Sequence, residues 1–456
     1  MTARKPPRRF GAKEQRPEET EIVPGLAARI LAALAVADVM TGTHQLDERF
    51  ATDGALFKAQ DMEPRDRSLA RSIATVALRR MGTIKSILGR FLKDGYPKKV
   101  PHLEWILVIG AAQILYLDVP DHAAVDLAVR SVRRDTKMAS FAGLTNAVLR
   151  NLIRQRDLGL PEEDAFVDLP NWLSARWRKT YGDDVAKHMI AAQSREPTLD
   201  LTLREPSDEW LVKLGGRRLP TGSLRLETHA PIHELPGYEE GQWWVQDAAA
   251  ALPAQLLQVE AGQRVLDLCA APGGKTAQLA AKGAQVVALD RSAERLKRVA
   301  ANLVRLGLQA EMRVGDALSF SAAPFDAVLL DAPCSSTGTI RRHPDVAWSK
   351  KSSDIVSLAA IQAKMLDRAV HLLKPGGRLV YSVCSLEPEE GEAQIAALLR
   401  RNQDVRRVAI MPGEIGIAAE WLNDQGELRT LPHFLPDPEP RLAGIDGFFA
   451  ARLTKV

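Results

Sequence analysis

Cysteine is scarce in this chain. Only Cys269, Cys334 and Cys384 occur among 456 residues, and all three fall in its C-terminal half. They are too few and too far apart for a disulfide framework, and they lack metal-ligand spacing, so no metal is expected. In a reducing compartment they are free thiols, so their positions matter more than their number. Long apolar runs are missing as well. No stretch approaches the roughly 20 uninterrupted apolar residues that a membrane helix needs, which excludes a bilayer-spanning helix and a membrane partner. The opening residues Met-Thr-Ala-Arg-Lys-Pro-Pro-Arg-Arg contain no apolar core of a secretion signal, so a cytoplasmic location is expected. No internal repeat is visible.

What is present is ordinary globular composition, 46% hydrophobic and 26% charged. The length calls for two or three domains. A formal charge of +4 permits a nucleic-acid partner without requiring one. The distribution of charge says more. Arg4, Lys5, Arg8, Arg9, Lys13 and Arg16 face Glu14 alone in the first sixteen residues. Residues 1–22 are expected to be a disordered basic leader, and such an arm can also hold phosphates.

Residues 23–158 read as an all-helical domain. Apolar residues recur at three- and four-residue spacing over 26–39, 67–92, 102–117, 122–132 and 142–154, with turn-like breaks between. Residues 23–157 hold 20 Lys/Arg and 14 Asp/Glu, so this part is basic. Residues 159–238 change to short mixed elements. There Leu199, Leu201 and Leu203 alternate with polar neighbours as in a half-buried strand, which suggests a small α+β segment. From 239 to 456, strands alternate with helices. That order predicts an α/β domain with a doubly wound, mainly parallel sheet and ligands at the strands' carboxyl ends.

The first site-bearing motif is Asp267-Leu268-Cys269-Ala270-Ala271-Pro272-Gly273-Gly274-Lys275-Thr276. A strand enters a turn of small residues and then a helix, which lets a ligand approach the backbone closely. A nucleotide P-loop is excluded, because the glycine it needs five positions before Gly274 is Cys269; a Gly-x-Gly-x-x-Gly fingerprint is absent too. The next strand ends in Asp290, where an acid can accept hydrogen bonds from both hydroxyls of an adenosine ribose. Asp316 follows a third strand and is a candidate for adenine contact. Each acid alone is as readily a helix cap; the order and spacing favour the adenosine reading. Two further strands end in Asp331-Ala332-Pro333-Cys334-Ser335 and Tyr381-Ser382-Val383-Cys384-Ser385. A free cysteine is often just a small buried hydrophobe. Two thiols in polar strand-end turns fit nucleophile chemistry better.

With these stretches, Arg341-Arg342-His343-Pro344-Asp345, Glu387-Pro388-Glu389-Glu390, Val245-Gln246-Asp247 and Asp446-Gly447-Phe448-Phe449, the sequence resembles the RsmB/Sun-type RNA cytosine-5 methyltransferases. In that branch a NusB-like RNA-binding domain precedes a Rossmann-like catalytic domain. The resemblance covers residues 240–456 closely, and the helical region by its helix pattern and position. It implies S-adenosylmethionine as cofactor, held by Cys269, Ala270, Ala271, Pro272, Gly273, Gly274, Lys275, Asp290, Asp316 and Asp331. It implies Cys384 as the nucleophile at cytosine carbon 6, with Cys334 assisting loss of the carbon-5 proton and product release. Asp331 is placed at the ring's N3/amino edge, and Lys275 near the cysteine or base. Arg341, Arg342 and His343 are candidates for a phosphate or base clamp, the alternative being a solvated turn.

DNA cytosine methyltransferases use the Pro-Cys cysteine and a Glu-Asn-Val motif; that motif is absent here, so RNA is the expected partner. The target base must be unpaired or flipped out to react. Small-subunit ribosomal RNA is implied, with transfer RNA as the alternative and a monomer as the expected state. Two other classes compete: a non-catalytic NusB-like RNA-binding or antitermination factor, and a small-molecule methyltransferase. The second would need neither a second cysteine nor a basic helical domain.

Overall fold

A computed structural model describes residues 23–50, 62–160, 164–227 and 231–456. The basic leader expected at 1–22 lies outside the described residues. Among them, no helix is long and apolar enough to cross a membrane.

The helical region comprises α1 (Leu26–Thr41), α2 (Leu46–Phe50), α3 (Pro64–Arg79), α4 (Met81–Gly89), α5 (His102–Tyr116), α6 (Asp121–Arg134) and α7 (Ala142–Leu158). α5 is buried on all sides from Leu103 to Ile114, apart from Glu104, and α1, α3, α4, α6 and α7 pack around it. Such all-round apolarity marks a central helix, not an amphipathic surface one.

The single helix expected over 67–92 is two, broken at Arg80 (φ −115°, ψ 24°). The cause lies on a distant segment. The Asp168 carboxyl accepts the Thr83 backbone N–H at 2.8 Å and its hydroxyl at 3.0 Å. A carboxylate is favoured at a helix N-terminus, so this one stabilises a fresh start. Gly82 makes room for it, since a Cβ there would lie 1.6 Å from the Val167 carbonyl oxygen.

Helices α8 (Asn171–Tyr181) and α9 (Asp183–Gln193) follow. After them come β1 (Asp200–Leu203), α10 (Glu209–Leu214), β2 (Gly216–Arg218), β3 (Leu224–Leu226) and β4 (Trp243–Val245). These strands form an antiparallel sheet in the order β2-β3-β1-β4, which reaches to Val245.

The remainder is α11 (Leu252–Leu256), β5 (Arg264–Leu268), α12 (Gly274–Ala281), β6 (Gln285–Asp290), α13 (Ala293–Arg305), β7 (Glu311–Val314) and β8 (Phe325–Asp331). Then come α14 (Asp345–Ser349), α15 (Ser352–His371), β9 (Leu373–Val383), α16 (Glu392–Arg401), β10 (Val405–Arg407), β11 (Leu428–Thr430) and β12 (Phe448–Lys455). The large sheet runs β10-β12-β9-β8-β5-β6-β7, with β11 also on β12. Strands β5 to β9 are parallel to their neighbours, and β12 is antiparallel to β9. Alternate residues feed two cores: Leu266, Leu289, Val328 and Leu379 on one face, Val265, Val286, Ala327 and Val380 on the other. Chain order reverses between β5 and β8, and the carboxyl ends beside that switch point form the expected crevice. The doubly wound, methyltransferase-like fold expected from the sequence is the fold observed.

The helical region docks on α14. Trp348 Nε1 donates to the Leu78 carbonyl at 2.9 Å, Arg79 Nη2 to the Arg341 carbonyl at 3.0 Å, and the Leu46 N–H to Asp345 at 3.4 Å.

Candidate active site

Strand β5 ends at Leu268, and the chain turns at once. Cys269 adopts a left-handed conformation (φ 64°) and Gly273 another (φ 104°). A side chain at Gly273 would place its Cβ 2.9 Å from Val299, so close packing against α13 demands glycine. Thr276 Oγ1 donates to Asp267 at 2.6 Å, tying α12 back to the strand it left. Burial raises the Asp267 carboxyl to about 7.

This turn is one wall of a cavity of about 510 Å³, within the range of roughly 300–1,000 Å³ common for small-molecule sites. Cys269, Ala270, Ala271, Pro272, Gly273, Gly274 and Lys275 all line it, as the sequence suggested. Asp331 and Cys384 face the same space, with Phe448 beside them.

The two acids expected near an adenosine are placed differently. Asp290 is buried at the end of β6, behind the turn, where its carboxyl accepts the Ala271 N–H at 3.3 Å and the Ser292 N–H at 2.9 Å. Asp316 is exposed and accepts the Leu318 N–H at 2.9 Å, closing its own turn. The structure brings neither acid to the cavity wall, although Asp290 lies directly behind Ala271, which does line it.

The paired cysteines come together. Strands β8 and β9 are adjacent and parallel, with Asp331 opposite Ser382, so their terminal turns emerge side by side. Cys334 Sγ and Cys384 Sγ are 3.5 Å apart, and both are free thiols. Cys384 lines the cavity, whereas Cys334 is buried behind it. The hydrogen bond from Cys334 lowers the Cys384 thiol; burial and Asp331 oppose this, and Ser336 and Lys275 assist it. The same bond and burial push Cys334 well above the ordinary thiol range. Of the two thiols, Cys384 is therefore the one whose ionisation is favoured.

Lys275 Nζ donates to Asp331 Oδ2 at 2.6 Å, while Asp331 Oδ1 accepts Ser382 Oγ at 2.8 Å. Burial would lower the Lys275 ammonium, but Asp331 outweighs it and Cys384 adds to the upward shift. Lys275 is thus a fixed cation whose charge acts on the Cys384 sulfur.

The clamp expected of Arg341 and Arg342 is not what the structure shows. Arg341 is 2% exposed and donates to Asp247 at 2.8 Å and to Asp446 at 3.3 Å. Arg342 donates to Asp247 at 2.7 Å and to the Thr198 carbonyl at 3.0 Å. Burial opposes ionisation of Asp247, yet Arg342 and Arg341 outweigh it and hold its carboxyl below the usual range. Arg341 is enclosed among internal carboxylates and is neither a phosphate clamp nor part of a solvated turn, whereas Arg342 pairs with the same acids and also lines the cavity. They fasten the 446–448 segment, hence Phe448, to the small sheet. Only His343 of that motif is half-exposed at the cavity; its Nδ1 lies 3.9 Å from Asp47 of α2.

Sequence reasoning assigned no site role to Asp247, Asp446 or Glu390. Each lies within a stretch that matched the family pattern, which was the available signal; their partners are distant in sequence.

Comparison with known proteins follows the geometry. The profile described as 16S rRNA methyltransferase RsmB/F matches residues 254–454, and that of the NusB family matches 26–154. Ribosomal RNA small subunit methyltransferase B of Salmonella arizonae is 38% identical over 415 residues, covering 87% of this chain and 92% of the relative. The protein of the same name from Vibrio cholerae is 36% identical over 416 residues, covering 87% and 91%. Among solved structures, PH0851 superposes with a TM-score of 0.71 at 24% identity, covering 95% of this chain and 99% of that one, a likeness of fold. A methyltransferase homolog protein from Pyrococcus horikoshii gives a TM-score of 0.53 at 27% identity over 64% of this chain and 98% of its own.

Proposed function

The chain belongs to the 16S rRNA methyltransferase RsmB/F family, and from that premise we propose that it methylates carbon 5 of a cytosine in small-subunit ribosomal RNA through a covalent bond to Cys384. The observation that carries the reading is the thiol pair, 3.5 Å apart at adjacent strand ends with only Cys384 on the cavity. A binding factor has no use for that arrangement.

The small-residue turn fits S-adenosylmethionine: a Cβ on Gly274 would lie 3.3 Å from the Gln246 amide, narrowing the cradle. The residues from Cys269 to Lys275 would hold it, and Asp290, which holds the turn through the Ala271 N–H and pairs with Arg295 at 3.6 Å, would accept from the ribose through its remaining lone pairs. Asp316, engaged in its own turn, has no part in this account. When bound, the cofactor supplies an electrophilic methyl group. The rest falls to the chain. The Cys384 thiolate adds to carbon 6, which breaks the ring's conjugation and makes carbon 5 electron-rich. Asp331 holds the N3/amino edge and Lys275 offsets charge beside the sulfur. After addition Cys334 gives its proton to water of the open cavity, and its thiolate then takes the carbon-5 proton. The electrons of that C–H bond form the carbon 5–carbon 6 double bond, and the carbon 6–sulfur bond breaks to free Cys384 as thiolate.

RNA affinity is assigned to the helical domain, whose α6–α7 region exposes Arg133, Arg134, Lys137, Arg150 and Arg154. The experiment is methyl transfer from labelled S-adenosylmethionine to small-subunit ribosomal RNA and to transfer RNA. Label should appear as 5-methylcytosine in the ribosomal substrate and vanish with Cys384→Ala. Label on transfer RNA alone would refute the substrate, and undiminished transfer by Cys384→Ala would refute the mechanism.

A further inference from the structure

Glu390 has no exposed surface, and the reaction above gives it no part. Its carboxyl lies where the two cysteine turns meet. Oε1 accepts the Ser335 backbone N–H at 2.9 Å and the Gln362 side-chain amide at 3.1 Å. Oε2 accepts Ser385 Oγ at 2.5 Å, and Ser335 Oγ donates to the same oxygen. Ser335 directly follows Cys334 and Ser385 directly follows Cys384, and the two hydroxyl oxygens are 3.0 Å apart. Gln362 also donates to the Pro333 carbonyl at 2.9 Å, one residue before Cys334. Tyr381, three residues before Cys384, donates its hydroxyl to the Glu390 carbonyl at 2.5 Å.

All four donors on this carboxyl are neutral groups. Burying an acid there is costly, and apolar side chains of similar volume would fill the space with less penalty. What they could not do is grip two turns at once. Three of the four hydrogen bonds come from the residues next to the thiols, so the carboxyl fixes one turn against the other.

We infer that Glu390 is a positioning residue whose carboxyl fastens the Cys334 and Cys384 turns together and so holds the two thiols at proton-sharing distance. The inference rests on Cys384 being the nucleophile. Without the clamp the sulfurs separate, the hydrogen bond from Cys334 weakens, and less of Cys384 is thiolate at neutral pH.

The test is the rate at which iodoacetamide alkylates Cys384 in the full-length protein, resolved by peptide mass spectrometry. Glu390→Gln keeps the size of the side chain but turns an amide N–H₂ toward groups that already donate. It should slow alkylation at pH 7 at least about tenfold, move the alkylation profile to higher pH, and leave S-adenosylmethionine affinity unchanged. In a Cys334→Ala background, where the partner thiol is already gone, the same substitution should change the rate by less than about twofold. Equal alkylation of wild type and Glu390→Gln would overturn the proposal. So would the same loss in both backgrounds, which marks a general structural role. If Glu390→Gln does not fold, Ser385→Ala removes one donor and leaves the acid in place. It should slow alkylation in the same direction, and no change in that folded variant would also overturn the clamp. Alkylation needs neither RNA nor methyl donor, so its outcome is separate from that of the catalytic assignment, which methyl transfer by Cys384→Ala reads.

Discussion

The turns after β8 and β9 are near twins in sequence, Pro333-Cys334-Ser335 and Val383-Cys384-Ser385, and they end neighbouring parallel strands. Their thiols nevertheless differ in every property that governs reactivity. Cys384 opens onto the cavity, with Lys275 contributing to its lowered proton affinity; Cys334 is enclosed and its proton affinity is raised. The difference comes from neighbours, not from the local motif. The Lys275 charge, at the start of α12, acts on one sulfur, and the other is buried behind it. In the proposed mechanism that inequality divides addition, at Cys384, from proton transfer, at Cys334.

That inequality can be broken most severely at Cys384. Cys384→Ala should abolish methylation and should never trap RNA, because Cys334 lies behind the cavity and burial pushes the thiol of Cys269, the other cysteine on its wall, up to about 12. Cys334→Ala should also lose turnover, but for the opposite reason. Addition and methyl transfer still proceed, release fails, and RNA accumulates as a slow, denaturant-resistant band on a gel. The double variant should lose the band. A trapped species with Cys384→Ala instead would reverse the roles.

Lys275→Met probes what sets the pair apart. Removing the cation raises the Cys384 thiol, so the thiolate fraction at a given pH falls. The acid limb of the single-turnover rate should then move to higher pH, with the deficit shrinking as pH rises. An unmoved limb would assign the thiolate to other groups. The smallest effect is expected away from the thiols. Asp290→Ala should weaken S-adenosylmethionine binding by about 10- to 150-fold, the equivalent of roughly 1.5–3 kcal/mol for hydrogen bonds to a charged acceptor. It should leave pH dependence of the thiols alone. Unchanged calorimetric affinity would remove Asp290 from the cofactor site.

The same contrast between local motif and distant neighbour explains what could be read in advance. Period and composition are local, so the alternation of strands and helices from β5 onward, the glycine turn and both cysteine turns were legible in sequence. The break at Arg80 was not, because its cause is Asp168 on another segment. Arg341 and Arg342 look like surface cations in sequence; only the fold brings Asp247 and Asp446 to them. Asp290 and Asp316 obey one strand-end rule, yet one is buried behind the glycine turn and the other spent on an exposed loop. Glu390 is one acid in the run Glu387-Pro388-Glu389-Glu390 until Ser335 and Ser385 converge on it.

The most direct measurement is the mass of the cross-link itself. Cys334→Ala enzyme incubated with small-subunit ribosomal RNA and S-adenosylmethionine is digested with nuclease and protease, and the modified peptide is sequenced by mass spectrometry. The account predicts a methylated cytidine nucleotide attached at Cys384 and nowhere else. A nucleotide on Cys269, or no covalent nucleotide while methylation continues, would contradict it.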